Sequence, residues 1–525
     1  MKSVMSHSFN KIPHAEIQRS SFDRSHGHKT TFDAGLLIPV FVDEALPGDT
    51  FNLNMSAFAR LATPIKPIMD NMFMESFFFA VPNRLIWDNW QKFNGEQTDP
   101  DDSTDFLIPQ MEPGTFVNGD LGDHFGLPTQ TAAAITVNAL HHRAYNLIWN
   151  EWFRDQNLQD SLPVSRGDGP DLHANHAIQR RGKRHDYFTS CLAWPQKGEA
   201  VTIPLGGSAP VVPNANGIPS FEGATGAFGE ANLFAALTDG NILSNVVPTG
   251  QQDIIKWVNP NLEADLSLAT ATTINSLREA FQIQKLYERD ARGGTRYTEI
   301  IKSHFGVTSP DSRLQRPEYL GGGSTPVSIN PVAQTTQDID AEGSNTPQGN
   351  MAAFGTISAT GHSFTKSFTE HCVIIGMVCV RADLTYQQGL NRMWSRQSRF
   401  DYYWPALSHI GEQEVLNKEI FAQGDPIIDD AVFGYQERFA EYRYKPSTIT
   451  GEFRSNYAQS LDFWHLSQDF DSLPVLNNEF IEENPPLDRI IAVPAEPHFI
   501  FDSFISLKCV RPMPAYSVPG LIDHF

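Results

Sequence analysis

The chain has 525 residues, 40% of them apolar and only 19% charged, which is ample material for a buried core and excludes a disordered, solvating segment. A formal net charge of -22 excludes a protein whose whole surface binds nucleic acid, because neutralising phosphates takes an excess of Lys and Arg. The 36 Phe and 35 Pro residues suit a β-rich fold with extended connections better than a helical bundle, since Pro is costly inside helices.

Residues 1–33 read as an N-terminal arm. Lys2, Lys11, Arg19, Arg24 and Lys29 outnumber Glu16 and Asp23 there, so the arm is mildly basic and Lys2 and Lys11 are candidate DNA contacts. The other reading is a solvated terminus. A single domain over 34–510 then begins with strand-like runs at Ala34–Val42, Phe51–Leu61 and Met72–Val81, separated by turn signals such as Pro47-Gly48-Asp49. Lys366–Val380 and Phe499–Val510 add two long β-branched or aromatic runs near the other end. Pairing between strands so far apart in sequence predicts a mainly β fold, an eight-stranded antiparallel jelly-roll barrel with long loop insertions carrying several helices.

The helices fall in those excursions. Val137, Leu140, Ala144, Leu147, Ile148 and Trp152 recur at helical spacing over Val137–Phe153. A second helix is expected over Ser276–Arg289, with Ser276 and Glu279 in capping-box positions. The stretch 198–260, centred on Leu205–Gly250, is rich in Gly, Ala, Asn and Pro and nearly uncharged, and reads as an inserted surface loop. Its Phe221, Phe228 and Phe234 are candidates for contact with a receptor or a neighbouring copy, because exposed apolar groups on a long loop meet a partner. Ser324–Gly349 is polar and reads as extended surface chain. In the last segment, 511–525, Pro512, Pro514 and Pro519 preclude a helix or internal strand. Tyr516, Leu521, Ile522 and Phe525 are too apolar for a solvated tail, so this extended arm is expected to dock on a neighbouring copy or on its own barrel.

Enzymatic and metal signals are weak. Asp99-x-Asp101-x-Ser103 opens like a calcium loop, but Thr104 stands where Gly is needed and Gln110 where a bidentate Glu belongs. His26-Gly-His28 and His141-His142 have no third ligand at a recognisable spacing, and Gly321–Thr325 lacks the Lys of a phosphate loop. No catalytic residue, metal or cofactor is expected. Cys191, Cys372, Cys379 and Cys509 are scattered and read as buried free thiols of a reducing cytoplasm. The longest apolar run, Val373–Val380, is far short of a membrane span, so no membrane insertion is expected.

Two basic clusters stand out. In Arg392–Trp404, Arg392, Arg396 and Arg399 sit at i, i+4 and i+7 beside Trp394, Phe400, Tyr402, Tyr403 and Trp404. Cations for the backbone with aromatics for the bases suit single-stranded DNA, while arginine on aromatics also suits a protein interface. Arg180, Arg181, Lys183 and Arg184 form the second cluster, which suits DNA, an acidic neighbour or a solvated loop.

Long blocks are spread along the chain: FDRSHGHKTTFDAG (Phe22–Gly35), LPGDTFNL (Leu46–Leu53), FARLATPIKPIMDN (Phe58–Asn71), VPNRLIWDNW (Val81–Trp90), RAYNLIWNEWFRDQNL (Arg143–Leu158), ERDARGGTRYTEII (Glu288–Ile301), SRLQRPEYLGGGSTP (Ser312–Pro326), YRYKPSTITGEFRS (Tyr442–Ser455) and PMPAYSVPGLIDHF (Pro512–Phe525). Together they resemble the major capsid protein of gokushoviruses within the Microviridae. The resemblance implies a structural, non-enzymatic subunit of a T=1 icosahedral virion shell around circular single-stranded DNA, assembled in the host bacterial cytoplasm. It also implies that the insertion forms threefold protrusions that attach to a host surface receptor. The implied partners are further copies of the chain, a small basic DNA-packaging protein, an internal scaffolding protein and a pilot protein. On the residues alone, a carbohydrate-binding jelly-roll lectin and a jelly-roll hydrolase remain as rivals.

Overall fold

Alternation of apolar and polar side chains along most of the long strands puts one face of each on a shared core. The structure, a computed structural model, describes residues 18–195, 274–339, 345–383 and 385–516, with shorter pieces between 197 and 265. Its main sheet is built from β1 (Ser20–Asp23), β2 (His26–Phe32), β3 (Ile38–Ala45), β4 (Thr50–Leu61), β5 (Met72–Pro82), β6 (Glu318–Pro326), β7 (Ser328–Ala333), β8 (Met351–Ser367), β9 (Cys372–Ala382) and β12 (Phe499–Arg511), while β10 (Glu412–Leu416) and β11 (Val432–Glu437) form a separate hairpin. β1 and β2 lie end to end along β12, and β6 and β7 both lie along the same side of β8. The ten strands therefore fill eight positions, in the order β1/β2, β12, β4, β8, β6/β7, β5, β9, β3. All pairings are antiparallel and the sheet curls as a half-barrel, the jelly-roll type of architecture with insertions.

β4 shows the cause most plainly. Phe51, Leu53, Met55, Ala57, Ala59 and Leu61 are buried and the residues between them are exposed. β12 runs alongside in register from Phe499 opposite Leu61 to Val510 opposite Thr50, adding Phe499, Phe501, Ile505 and Leu507 to the same core. A strand near the start of the domain and the strand at its end thus lie side by side and share one core.

β9 is buried along its whole length. Ile374, Val378 and Val380 face the barrel core, whereas Val373, Ile375, Met377 and Cys379 face a second cluster built on helix α1 (Leu140–Ile148), through Leu140, Ala144, Tyr145 and Ile148. A strand covered on both faces reads as an unbroken apolar run instead of an alternating one. The helix expected over Val137–Phe153 is shorter: the Asn138 side chain accepts from the Leu140 N–H at 2.9 Å and starts it late, and Trp149–Phe153 widens into a π-turn.

Two stretches differ from the expectation. Lys366–Val380 is not one strand, because Phe368 leaves β8 to exchange backbone bonds with Gly48 and Asp49 before β9 starts at Cys372. Ser324–Gly349 is not wholly extended loop, since β6 reaches Pro326 and β7 pairs with β8. β7 pairs on that one side alone, which is why Pro331 is tolerated within it. Residues 196–293 cluster as a compact unit of their own, containing short strand pairs such as Ser220–Gly223 with Ile255–Asn259, and helix α2 (Ile274–Gly293). The insertion expected over 198–260 lies in that unit.

Candidate nucleic-acid interface

The structure gives each cation of the basic segment 180–184 a partner inside the subunit. Glu75 on β5 accepts from Arg181 and from Arg381 at 2.8 Å, with Arg184 3.6 Å away. Burial opposes the charge of Glu75, but the two arginines outweigh it and hold the carboxyl below its usual range. Arg184 also donates to Asp383 at 2.6 Å, and Arg180 donates to the carbonyls of Ala34 and Glu483 at 3.2 and 3.1 Å. Lys183 donates to the Phe480 carbonyl at 2.6 Å and lies 4.5 Å from that ring's centroid, and burial lowers its pKa. The guanidinium of Arg181 sits 4.6 Å from the Phe77 centroid and that of Arg184 4.9 Å from Phe73, so aromatic stems complete the clamp.

Arg392–Trp404 is not one helix. Short 3-10 turns at Arg392–Ser395 and Arg399–Asp401 break it, so its arginines do not line one helical face. Behind it lies an apolar cluster of Tyr187, Phe188, Val415 on β10, Phe433 on β11, and Phe480. Arg392 donates to the buried Glu419 at 2.8 Å and to the Glu414 carbonyl at 2.6 Å. Glu419 also accepts from the Tyr187 hydroxyl at 2.9 Å and the Leu416 N–H at 3.0 Å, yet burial still raises its pKa. Arg396 is 3.3 Å from Glu441, a carboxylate that also accepts from Gln413 at 3.0 Å, and its guanidinium lies 4.4 Å from the Tyr442 centroid. Arg399 alone of the three has no carboxylate partner among the described residues; it lies 4.8 Å from the Phe400 ring.

The aromatic side chains of the same segment stay in water. Trp394 is 72% exposed, and Phe400, Tyr402, Tyr403 and Trp404 are each at least half exposed. Beside them opens a pocket of about 300 Å³ whose lining includes Tyr187, Trp394, Glu419, Tyr444, Lys445 and Arg454. Tyr444, Lys445 and Arg454 were not singled out from sequence. Their signal was the alternation of cations and rings in YRYKPSTITGEFRS, a block that also carried the family resemblance.

Other sequence candidates are placed as follows. Tyr516 is 89% exposed, and Phe221 and Phe234 lie on short strands, Ser220–Gly223 and Leu233–Ala235. Lys2, Lys11, Phe228, Leu521, Ile522 and Phe525 lie outside the described residues. Cys191, Cys372, Cys379 and Cys509 are buried free thiols. Among the described residues no three His, Cys, Asp or Glu side chains come together as a metal site would require, and no helix is long and apolar enough to cross a membrane.

Comparison with known proteins decides what this surface belongs to. A sequence model of the phage capsid protein (F protein) family matches residues 10–521. The chain belongs to that family. It is 51% identical to capsid protein VP1 of Bdellovibrio phage phiMH2K, over 99% of this chain and 98% of the relative. It is 44% identical to capsid protein VP1 of Chlamydia phage 1, over 99% and 98%, and 37% identical to that of Spiroplasma virus 4, over 98% and 97%. All three are viruses of the Microviridae. As a phage capsid protein the chain is a virion component that self-assembles into a shell, a structural protein and not an enzyme. The lectin and hydrolase readings fall with that.

Proposed function

We propose that the protein builds a T=1 icosahedral shell around circular single-stranded DNA, with the inserted loop 198–260 as the surface protrusion that attaches to a host receptor. The observation that carries this is the aromatic surface of Trp394, Phe400, Tyr402, Tyr403 and Trp404, left in water by a subunit that buries its other large apolar clusters. Such a patch is unfavourable on a lone soluble protein and is covered in a filled shell, by neighbouring copies or by the packaged DNA. Arg399 at its centre is the cation best placed for phosphate, because Arg392, Arg396 and the 180–184 segment are engaged by carboxylates and carbonyls of their own subunit.

The net charge of -22 means that this shell neutralises little of the packaged DNA, so a small basic DNA-packaging protein supplies most counter-charge. An internal scaffolding protein and a pilot protein complete the assembly, which proceeds in the host cytoplasm. Lys2 and Lys11 are further DNA contacts. Phe221, Phe228 and Phe234 serve threefold or receptor contacts, and Tyr516, Leu521, Ile522 and Phe525 anchor the C-terminal arm on a neighbour. The test is electron microscopy and nuclease treatment of particles made with the full chain. Closed shells of uniform size with protected, single-stranded circular DNA are expected, and Arg399→Glu should lower the DNA content of intact shells. Open aggregates, or shells with double-stranded content, would overturn the reading.

A further inference from the structure

We infer that the pocket behind Trp394 is a subsite for one nucleotide of single-stranded DNA, its base stacked on Trp394 and Tyr444 and its phosphate held by Lys445 and Arg454. This deepens the proposal that the shell encloses single-stranded DNA and rests on it.

The charges of the lining support an anionic occupant. Both carboxylates in the wall already have a counter-charge, Glu419 in Arg392 and Glu441 in Arg396, and neutral donors satisfy them further: the Tyr187 hydroxyl and Leu416 N–H on Glu419, Gln413 on Glu441. Lys445 is exposed with no carboxylate partner among the described residues, and neither has Arg454, whose guanidinium donates to the Gln387 carbonyl at 2.8 Å. On a chain of net charge -22, two unopposed cations at one pocket mouth are a local reversal of sign that phosphate matches.

The shape supports a planar one. Trp394 presents an indole that is 72% exposed at the rim, and the Tyr444 ring, 39% exposed, lines the same space. Stacking on such rings tolerates any base, as a shell binding an entire genome requires. Asn391 Oδ1 is engaged by the Met393 N–H, which leaves its amide N–H groups for a base edge. A volume of about 300 Å³ admits one nucleotide and not a duplex. The unpaired cations in the lining favour an anion over an uncharged peptide segment of a neighbouring subunit.

The test irradiates intact particles with ultraviolet light, digests the full chain and maps nucleotide-bearing peptides by mass spectrometry. Adducts on Trp394 or Tyr444 are expected. In parallel, the unassembled full-length subunit is titrated with a ten-nucleotide oligothymidylate. Trp394→Ala and Lys445→Gln/Arg454→Gln should each weaken binding about tenfold, while Trp394→Phe, which keeps a stacking ring, should retain most of it. Adducts confined to other segments would overturn this site while leaving DNA enclosure intact. Trp394 shielded from oxidation equally in DNA-free shells would assign the pocket to a neighbouring subunit and overturn it too. Particles without single-stranded DNA would instead remove the enclosure reading itself. If Trp394→Ala does not fold, the adduct map on the unaltered chain decides.

Discussion

Replacing Arg143 by Met tests how the helical layer is held against the barrel. Arg143 is fully buried on α1 and grips Asp171 bidentately, Nε to Oδ2 at 2.6 Å and Nη2 to Oδ1 at 2.7 Å. Its Nη1 also donates to the carbonyls of Ile86 at 3.0 Å and Gly167 at 2.9 Å, so one side chain ties three segments together. Met fills much of the space but leaves the Asp171 carboxylate, only 4% exposed, without its counter-charge. Breaking a buried pair this way costs about 3–5 kcal/mol, and the two orphaned carbonyls push the loss toward the upper end. Urea unfolding of the unassembled subunit should show the midpoint fall with little change of slope. Asp171→Asn in the same chain should return about 2 kcal/mol or more, since the uncompensated charge is then gone. If the losses from Arg143→Met and Asp171→Asn simply add in the double variant, the two side chains are not coupled and the reasoning fails.

Acid should weaken the subunit through His142, whose pKa is pushed down to about 3 by burial and by neighbouring His176, His141 and His173. A folded-state value below the unfolded one contributes stability above pH 6.5 that is lost as pH falls toward 3, about 2 kcal/mol of it by pH 5. His142→Gln should flatten the acid limb of Tm against pH by that amount, and an unchanged limb would exclude His142 as its source. Glu483 acts in the opposite sense, because burial raises its pKa to about 7 against an ordinary 4.5. Its contribution is present below pH 4.5 and lost as pH rises through 7, so Glu483→Gln should raise stability by about 3 kcal/mol at pH 8 and change little at pH 4. Gly322→Ala should separate β6 from β5, since the added Cβ would sit 2.0 Å from the Ser76 carbonyl oxygen, and a loss of about 1–3 kcal/mol is expected. Gly27→Ala, where the nearest atom is 3.5 Å away, is the control and should leave Tm unchanged. The Cys379 thiol, pushed up to about 12 by burial, should resist alkylation at pH 8 until urea unfolds the chain; prompt labelling of the native subunit would contradict its placement.

The barrel strands β4, β5 and β12 and the family were legible from the sequence alone. A two-residue period and long family-like blocks are local properties, and they survive without knowledge of what touches what. The acidic balance likewise identified the chain as a poor general DNA binder before any contact was known. Tertiary structure decided which cations are exposed. Arg392 meets Glu419 across 27 residues and Arg181 meets Glu75 across 106, pairings that no local pattern encodes. It also decided that the apolar run of β9 is covered on both faces, which requires α1 to be laid over it, and that Lys366–Val380 turns at Phe368, where the bonds go to Gly48 and Asp49. Composition and period follow from each residue's own chemistry, whereas charge pairing, strand ends and pockets depend on which distant segments the curled sheet brings together.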